Sequence, residues 1–205
     1  MFIVIEGVDG AGKTTFAKML IEVLEKRNLN YLHTRQPGGC PGSENIRTLV
    51  KENTFTYFTD LLLMFGARTE SLANTIIPAL NRKEIVICER YNDSTYAYQV
   101  FEGNELIAKT FNYLEAQINN IAKPDLVIYL ESDIDLNRNR IEARGEPLDR
   151  FESNEYFQRK CQRGFNIKMC QKTYNYHVIP AQDNMESLSE QVDKVVEQFI
   201  ISDHK

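Results

Sequence analysis

Apolar residues along this chain fall into two recurrent patterns. Short runs rich in β-branched residues occur at 2–6 (Phe2, Ile3, Val4, Ile5), 84–90 (Ile85, Val86, Ile87), 124–130 (Leu126, Val127, Ile128) and 176–181 (Val178, Ile179), with a weaker run at 30–35. Apolar runs of this length without alternation predict strands buried on both faces. Elsewhere the apolar positions recur at helical spacing. Leu61, Phe65, Leu72, Ile76 and Leu80 predict a helix over 57–82, and Leu188, Val192, Val195, Val196 and Phe199 predict another over 185–201. Further helices are expected up to residue 26, over 44–52, and over 94–121 with a break near Gly103. Strands that alternate with helices predict an α/β fold: three layers, with a five-stranded parallel sheet covered by helices on both faces. No linker or internal repeat interrupts the pattern, so residues 1–205 read as a single domain.

Between the first strand and the first helix lies Gly7-Val8-Asp9-Gly10-Ala11-Gly12-Lys13-Thr14, followed by Thr15. It fits the phosphate-loop pattern GxxxxGK(S/T) in the strand-to-helix setting where that pattern has physical meaning. Glycines let consecutive backbone N–H groups point at one phosphate, with the positive end of the helix behind them. Lys13 adds a point charge for the β and γ phosphates, and the Thr14 hydroxyl is placed to hold a magnesium ion. Residues 7–15 are therefore the candidate nucleoside triphosphate-binding segment, and Lys13 the first candidate catalytic residue.

Two further clusters suit phosphoryl transfer, which requires charge neutralisation and alignment more than covalent chemistry. Glu89-Arg90 ends an apolar run, and in a parallel sheet the C-terminal strand end opens onto the ligand crevice. There Glu89 is a candidate metal ligand beside Thr14, and Arg90 can grip an acceptor phosphate through two parallel hydrogen bonds. The segment 138–151 carries Arg138, Arg140, Arg144 and Arg150, and its helical start gives way to Gly145 and Pro147. This predicts an arginine-bearing lid at about 140–152 that excludes water from the transfer.

Composition narrows the remaining options. Hydrophobic residues at 42% and charged residues at 26% exclude a disordered chain. The net charge of −5 argues against a general nucleic-acid binder. No apolar run approaches the roughly 20 residues that span a bilayer, and the N-terminus lacks the order of a signal peptide, so no membrane association and a cytoplasmic location are expected. Cys40, Cys88, Cys161 and Cys170 show no metal-ligand spacing and are expected to be free thiols. None of His33, His177 and His204 is assigned a catalytic role.

The ordered set FIVIEGVDGAGKTT (2–15), TRQPGG (34–39), IRTL (46–49), FGAR (65–68), ERYNDSTYAYQ (89–99), PDLVIYL (124–130) and LDRFE (148–152) resembles bacterial-type thymidylate kinases over nearly the whole chain. The resemblance implies transfer of the γ-phosphoryl group of ATP to dTMP, giving dTDP and ADP, with Mg²⁺ as cofactor and a homodimeric assembly. It also implies roles by position. Asp9 matches the acid near the acceptor 3′-hydroxyl, and Arg90 the arginine on the dTMP phosphate. Arg35 and Arg47 border the same pocket. Arg68 matches the donor to a thymine carbonyl, Thr95 and Gln99 the base-edge residues, and Tyr98 the tyrosine beside the deoxyribose. Three departures stand out: Glu89 replaces the usual aspartate, Gln36 replaces the usual glutamate, and the aromatic residue expected four positions before Arg68 is Met64. Either Met64 or Phe65, three before, is expected to cover the base. The loop lacks the arginine that some relatives carry at the position of Gly10 or Ala11, which leaves Arg144 or Arg150 to supply catalytic charge from the lid. The enzyme alternative is another nucleoside monophosphate kinase, acting on dUMP or another pyrimidine. A switch GTPase is remote, because no NKxD segment follows a late strand.

Overall fold

The computed structural model describes residues 1–143, 145, 148, 151–152, 154–180 and 184–201. The described residues contain a five-stranded sheet, all parallel, in the order β2-β3-β1-β4-β5. The strands are β1 (Phe2–Glu6), β2 (Tyr31–Arg35), β3 (Ile85–Glu89), β4 (Leu126–Leu130) and β5 (Tyr176–Ile179). β1 lies at the centre, between β3 and β4, and its residues are fully buried. Its side chains alternate between two cores: Ile3 and Ile5 pack on one face of the sheet, Phe2 and Val4 on the other. Burial on both faces is why the sequence runs apolar without alternation.

The first core is closed by α1 (Lys13–Lys26), by α8 (Glu155–Gln171) and by α9 (Met185–Val195), which continues as a wider π-turn, Val196–Ile201. The second lies under α3 (Tyr57–Ser71), a π-turn at Leu72–Ile76, α4 (Ile77–Asn81) and α6 (Glu105–Ile121). The three-layer arrangement is the expected one. Three more helices complete the described chain: α2 (Pro41–Glu52), α5 (Asn92–Thr95) with its π-turn Tyr96–Val100, and α7 (Ile134–Ala143). Asn104, Asn154 and Asn184 each cap the following helix by accepting from a backbone N–H three residues on, which fixes three helix starts.

Some boundaries differ from the sequence reading. α2 begins at Pro41 rather than 44, because proline fits the first turn of a helix, where no N–H bond is lost. The break expected near Gly103 separates the turn ending at Val100 from α6. Helix α8 has no counterpart among the expected elements. Its buried positions are Gln158, Lys160, Cys161, Gly164, Phe165 and Lys168, so polar and charged residues are mixed into the apolar face.

The strand order reverses at β1, with β3 on one side and β4 on the other. In such sheets a crevice opens beyond the strand ends at the reversal. Residues 7–12 lie there, between the ends of β1 and α1. Glu6, at the end of β1 and buried, accepts from Tyr91 N (2.7 Å), Ser94 N (3.1 Å) and Ser94 Oγ (2.5 Å). A carboxylate on one strand thus caps the start of α5 after a neighbouring strand, and fixes the direction of the segment carrying Thr95, Tyr98 and Gln99.

Candidate active site

The phosphate loop is shaped by its glycines and by what packs against it. Gly10 has φ +76°, and a Cβ there would come within 2.6 Å of the Asn137 carbonyl oxygen on α7. The loop therefore has no room for a side chain at position 10, which accounts for the missing loop arginine at that position. Lys13 Nζ donates to the carbonyls of Gly7 (2.9 Å) and Val8 (2.7 Å). Burial, and next the charge of Arg90, lower its pKa to about 7.

Asp9 faces the second half of the crevice. Its Oδ1 accepts from Arg90 Nη2, and its Oδ2 accepts from Tyr98 Oη (2.7 Å) and Gln158 Nε2 (3.0 Å). Burial opposes its charge, but Arg90 and Lys13 more than offset this and hold the carboxyl well below the usual range. Arg90 is itself fixed on several sides. Its Nη1 donates to Gly7 O (3.3 Å) and Ser94 Oγ (3.1 Å), its Nη2 also reaches Tyr98 Oη (3.2 Å), and its backbone is left-handed at φ +68°. A non-glycine residue in that region carries local strain, here at a residue central to the site.

Gln158 is a site residue that the sequence reading missed. Besides its bond to the Asp9 side chain it accepts from Asp9 N (3.3 Å) and donates to the Phe151 carbonyl (2.8 Å). The one signal that could have found it is the four-residue spacing of Phe157, Cys161, Phe165 and Met169 on the same helix.

A pocket opens beside Asp9 and is lined by Gln36, Arg47, Met64, Arg68, Arg90, Thr95, Tyr98, Gln99 and Phe151, among others. Arg68 forms its inner wall. Its Nε donates to Gln36 Oε1 (2.7 Å), and its Nη2 donates to Tyr91 O (2.8 Å) and Thr95 Oγ1 (2.9 Å). The guanidinium lies 4.9 Å from the ring centroids of both Phe65 and Tyr91. Burial lowers the Arg68 pKa. Among the described residues, Arg68 Nη1 and Gln36 Nε2 have no hydrogen-bond partner, so two buried donors remain at this wall. Of the two residues expected to cover a base, Met64 lines the pocket. Phe65 instead fills the core against Phe111, 5.8 Å between centroids, and touches the pocket only through Arg68. Position 65 faces inward because the helix buries Leu61, Phe65 and Leu72 along one stripe.

A wider cleft of about 880 Å³ adjoins this pocket at Asp9, Gln36, Arg47 and Arg90 and runs past Lys13, Thr14, Thr15, His33, Arg35 and Glu89. Thr14 Oγ1 donates to Glu89 Oε2 (2.7 Å), and His33 Nε2 is 3.0 Å from Glu89 Oε1. Burial opposes the charge of Glu89, but these hydrogen bonds and nearby Lys13 lower its pKa, so it is an anion. Adjacent hydroxyl and carboxylate oxygens at the mouth of a phosphate loop fit a magnesium ion, which prefers oxygen and takes its remaining ligands from phosphates and water. Arg35 extends into the same cleft and pairs with Glu44 (3.3 Å), while Arg47 donates to Pro37 O (3.1 Å). A third cavity joins Ala11, Gly12 and Thr15 of the phosphate loop and Arg140 of the lid segment to Pro180 and Asn184, two residues that no sequence motif flagged. Arg144 and Arg150 lie outside the described residues.

A phosphate loop at the central strand's end, with a second polar pocket facing it across Asp9, defines a P-loop phosphotransferase that holds two substrates. Comparison with known sequences narrows this further. The family model for thymidylate kinase matches residues 5–192. Relatives include a thymidylate kinase of Pseudomonas fluorescens, 35% identical over 204 residues and covering 98% of this chain and 96% of that protein. One of Pseudoalteromonas translucida is 34% identical over 203 residues, covering 97% and 96%. One of Bordetella pertussis is 41% identical over 160 residues, covering 77% and 76%. The chain belongs to the thymidylate kinase family.

Proposed function

We propose that this chain transfers the γ-phosphoryl group of ATP to dTMP, releasing ADP and dTDP. The observation that carries the reading is the position of Asp9. One loop presents Lys13 to a donor triphosphate while its Asp9 lines the pocket of Met64, Arg68, Thr95 and Gln99. An acceptor nucleotide in that pocket would meet donors from Arg68 and Gln36 at its base edge. Those free donors favour the 4-carbonyl of a thymine or uracil over the 4-amino group of cytosine.

In the proposed assignment, residues 7–15 bind ATP, with backbone N–H groups and Lys13 on the phosphates. Arg90 binds the phosphate of dTMP, aided by Arg35 and Arg47 at the rim, and Asp9 accepts from the sugar 3′-hydroxyl. Tyr98, held over Asp9, crowds the deoxyribose face where a 2′-hydroxyl would sit. Met64 packs on the thymine, while Phe65 acts by supporting Arg68. Thr14 and Glu89 would hold the magnesium ion, whose chemistry is to neutralise charge on the donor phosphates. The lid arginines, Arg144 and Arg150, would stabilise charge developing on the transferred group. The third cavity, beside Ala11 and Arg140, suits the donor adenine. The chain is read as one kinase domain with a lid at about 140–152, working in the cytoplasm as a homodimer. No helix among the described residues is long and apolar enough to cross a membrane.

A panel of monophosphates tests the reading. With ATP and magnesium, dTMP is expected to give diphosphate at the highest kcat/KM, dUMP less, and dCMP and AMP at least about 100-fold less, since a base edge that leaves buried donors unpaired is strongly rejected. Turnover of dCMP or AMP in preference to dTMP would remove the base assignment.

A further inference from the structure

His33 belongs to no motif of the family resemblance, and no sequence pattern assigns it a role. It stands on β2, whose residues pair in parallel register with β3: His33 opposite Ile87 and Arg35 opposite Glu89. Side chains two apart on a strand share a face. His33, Arg35 and Glu89 therefore project to the same side, toward the cleft they line with Thr14. His33 Nε2 lies 3.0 Å from Glu89 Oε1, while Thr14 Oγ1 takes Oε2 at 2.7 Å. An ionised carboxylate has no hydrogen to give, so Nε2 carries the hydrogen and donates.

This pairing matters because of the residue at position 89. A glutamate carries one more methylene than the aspartate common in the family, and with it one more torsion to be fixed. Its carboxylate is bound at both oxygens, by groups on two different elements. An aspartate would withdraw the carboxylate by about 1.5 Å, one C–C bond, and could not reach both partners. From this we infer that His33 is a positioning residue for the metal-facing carboxylate. It holds Oε1 so that Oε2 stays beside Thr14, and the longer side chain does the work of the shorter one. The inference rests on the proposed magnesium role of Thr14 and Glu89.

The test reads metal binding directly, with Mn²⁺ as the probe and electron paramagnetic resonance as the readout. The protein is held with an ATP analogue whose β–γ bridge resists hydrolysis. His33→Phe is expected to weaken Mn²⁺ about tenfold, as for loss of a group that orients a metal ligand. His33→Gln, which can still donate, should recover most of that loss. In a Glu89→Asp background, whose carboxylate falls short of position 33, His33→Phe should change little, because coupled groups lose their additivity once the contact is gone. In steady state, His33→Phe should raise the Mg²⁺ concentration for half-maximal rate more than it lowers kcat at saturating Mg²⁺.

Unchanged Mn²⁺ affinity in His33→Phe would overturn the inference, as would an equal loss in the Glu89→Asp background. Glu89→Gln separates this from failure of the metal assignment itself. If Glu89→Gln binds Mn²⁺ like the native protein, the metal reading fails. If it binds weakly while His33→Phe does not, only the role of His33 fails.

Discussion

Asp9 has three side-chain partners, and each comes from a different part of the chain: Arg90 after β3, Tyr98 in the π-turn and Gln158 on α8. The first two follow from family motifs. Gln158 does not, because an uncharged polar residue in an arginine-rich segment looks like surface until the fold buries it. Its double hold on Asp9, through side chain and backbone N–H, restricts where the carboxylate can point. Gln158→Leu keeps the bulk and removes both bonds. It is expected to raise the KM for dTMP by roughly 5–30-fold, the equivalent of about 1–2 kcal/mol of lost hydrogen bonding. The KM for ATP should move much less. Initial rates with each substrate varied in turn check this, and a shift confined to ATP would refute it. His33 illustrates the same blindness: a lone histidine in a weak strand gains meaning only once register sets it beside Glu89.

At the level of elements, the central strands are legible because both faces are buried, which leaves an unbroken apolar run. The phosphate loop is legible because its backbone geometry demands glycines at fixed positions. Helix α8 is not. It packs on the π-turn Tyr96–Val100 through a buried face in which Gln158, Gly164 and Lys168 interrupt the apolar spacing of Phe157, Cys161, Phe165 and Met169. Gly164 marks a close approach of the two segments: a Cβ there would lie 2.9 Å from Ala97 Cα and 3.1 Å from Phe101 Cβ. Helix propensity alone would favour alanine by about 0.8–1 kcal/mol. The contact with backbone should reverse that sign, and Gly164→Ala is expected to destabilise by about 1–3 kcal/mol. Denaturant unfolding measures it; a gain in stability would mean that the helices separate freely. Because Ala97 adjoins Tyr98, the KM for dTMP should rise as well.

Across the whole molecule, buried polar contacts tie the second core to α5, the segment that leads into the pocket of Thr95 and Tyr98. Lys168 Nζ donates to both Glu115 oxygens (2.8 and 2.9 Å), Tyr174 Oη donates to Glu115 (3.1 Å), and Tyr176 Oη donates to Asp93 Oδ2 (2.8 Å). Asp93 sits on α5, two residues before Thr95. Burial first, then the charges of Glu6 and Glu115 against Lys168 and the Tyr176 hydrogen bond, push its pKa up to about 7. The unfolded carboxyl titrates near 3.8. Between those values the folded chain binds more protons than the unfolded one, so this group makes stability fall as pH rises from about 4 to about 7 and leaves it flat above. An asparagine side chain in its place does not titrate. The stability of Asp93→Asn relative to the native chain should therefore improve steadily over that window and level off beyond it. Urea unfolding at a series of pH values from about 4.5 to about 8.5 tests this, and a constant difference would exclude Asp93 as the source.

One junction described above also limits what this fold can become. Glu6 anchors the start of α5, which leads into the proposed acceptor pocket, and the next residue begins the phosphate loop proposed for the donor. The two proposed sites are thus tied to adjacent residues of one chain segment. A protein engineer who wished to keep a sensor for the monophosphate and erase the triphosphate site could not cut between them. Loop deletions that remove Asp9 or tilt β1 would dismantle the reader together with the engine. Changes of acceptor preference are better sought at Met64 and Gln99, which line the pocket but not the phosphate-loop cleft.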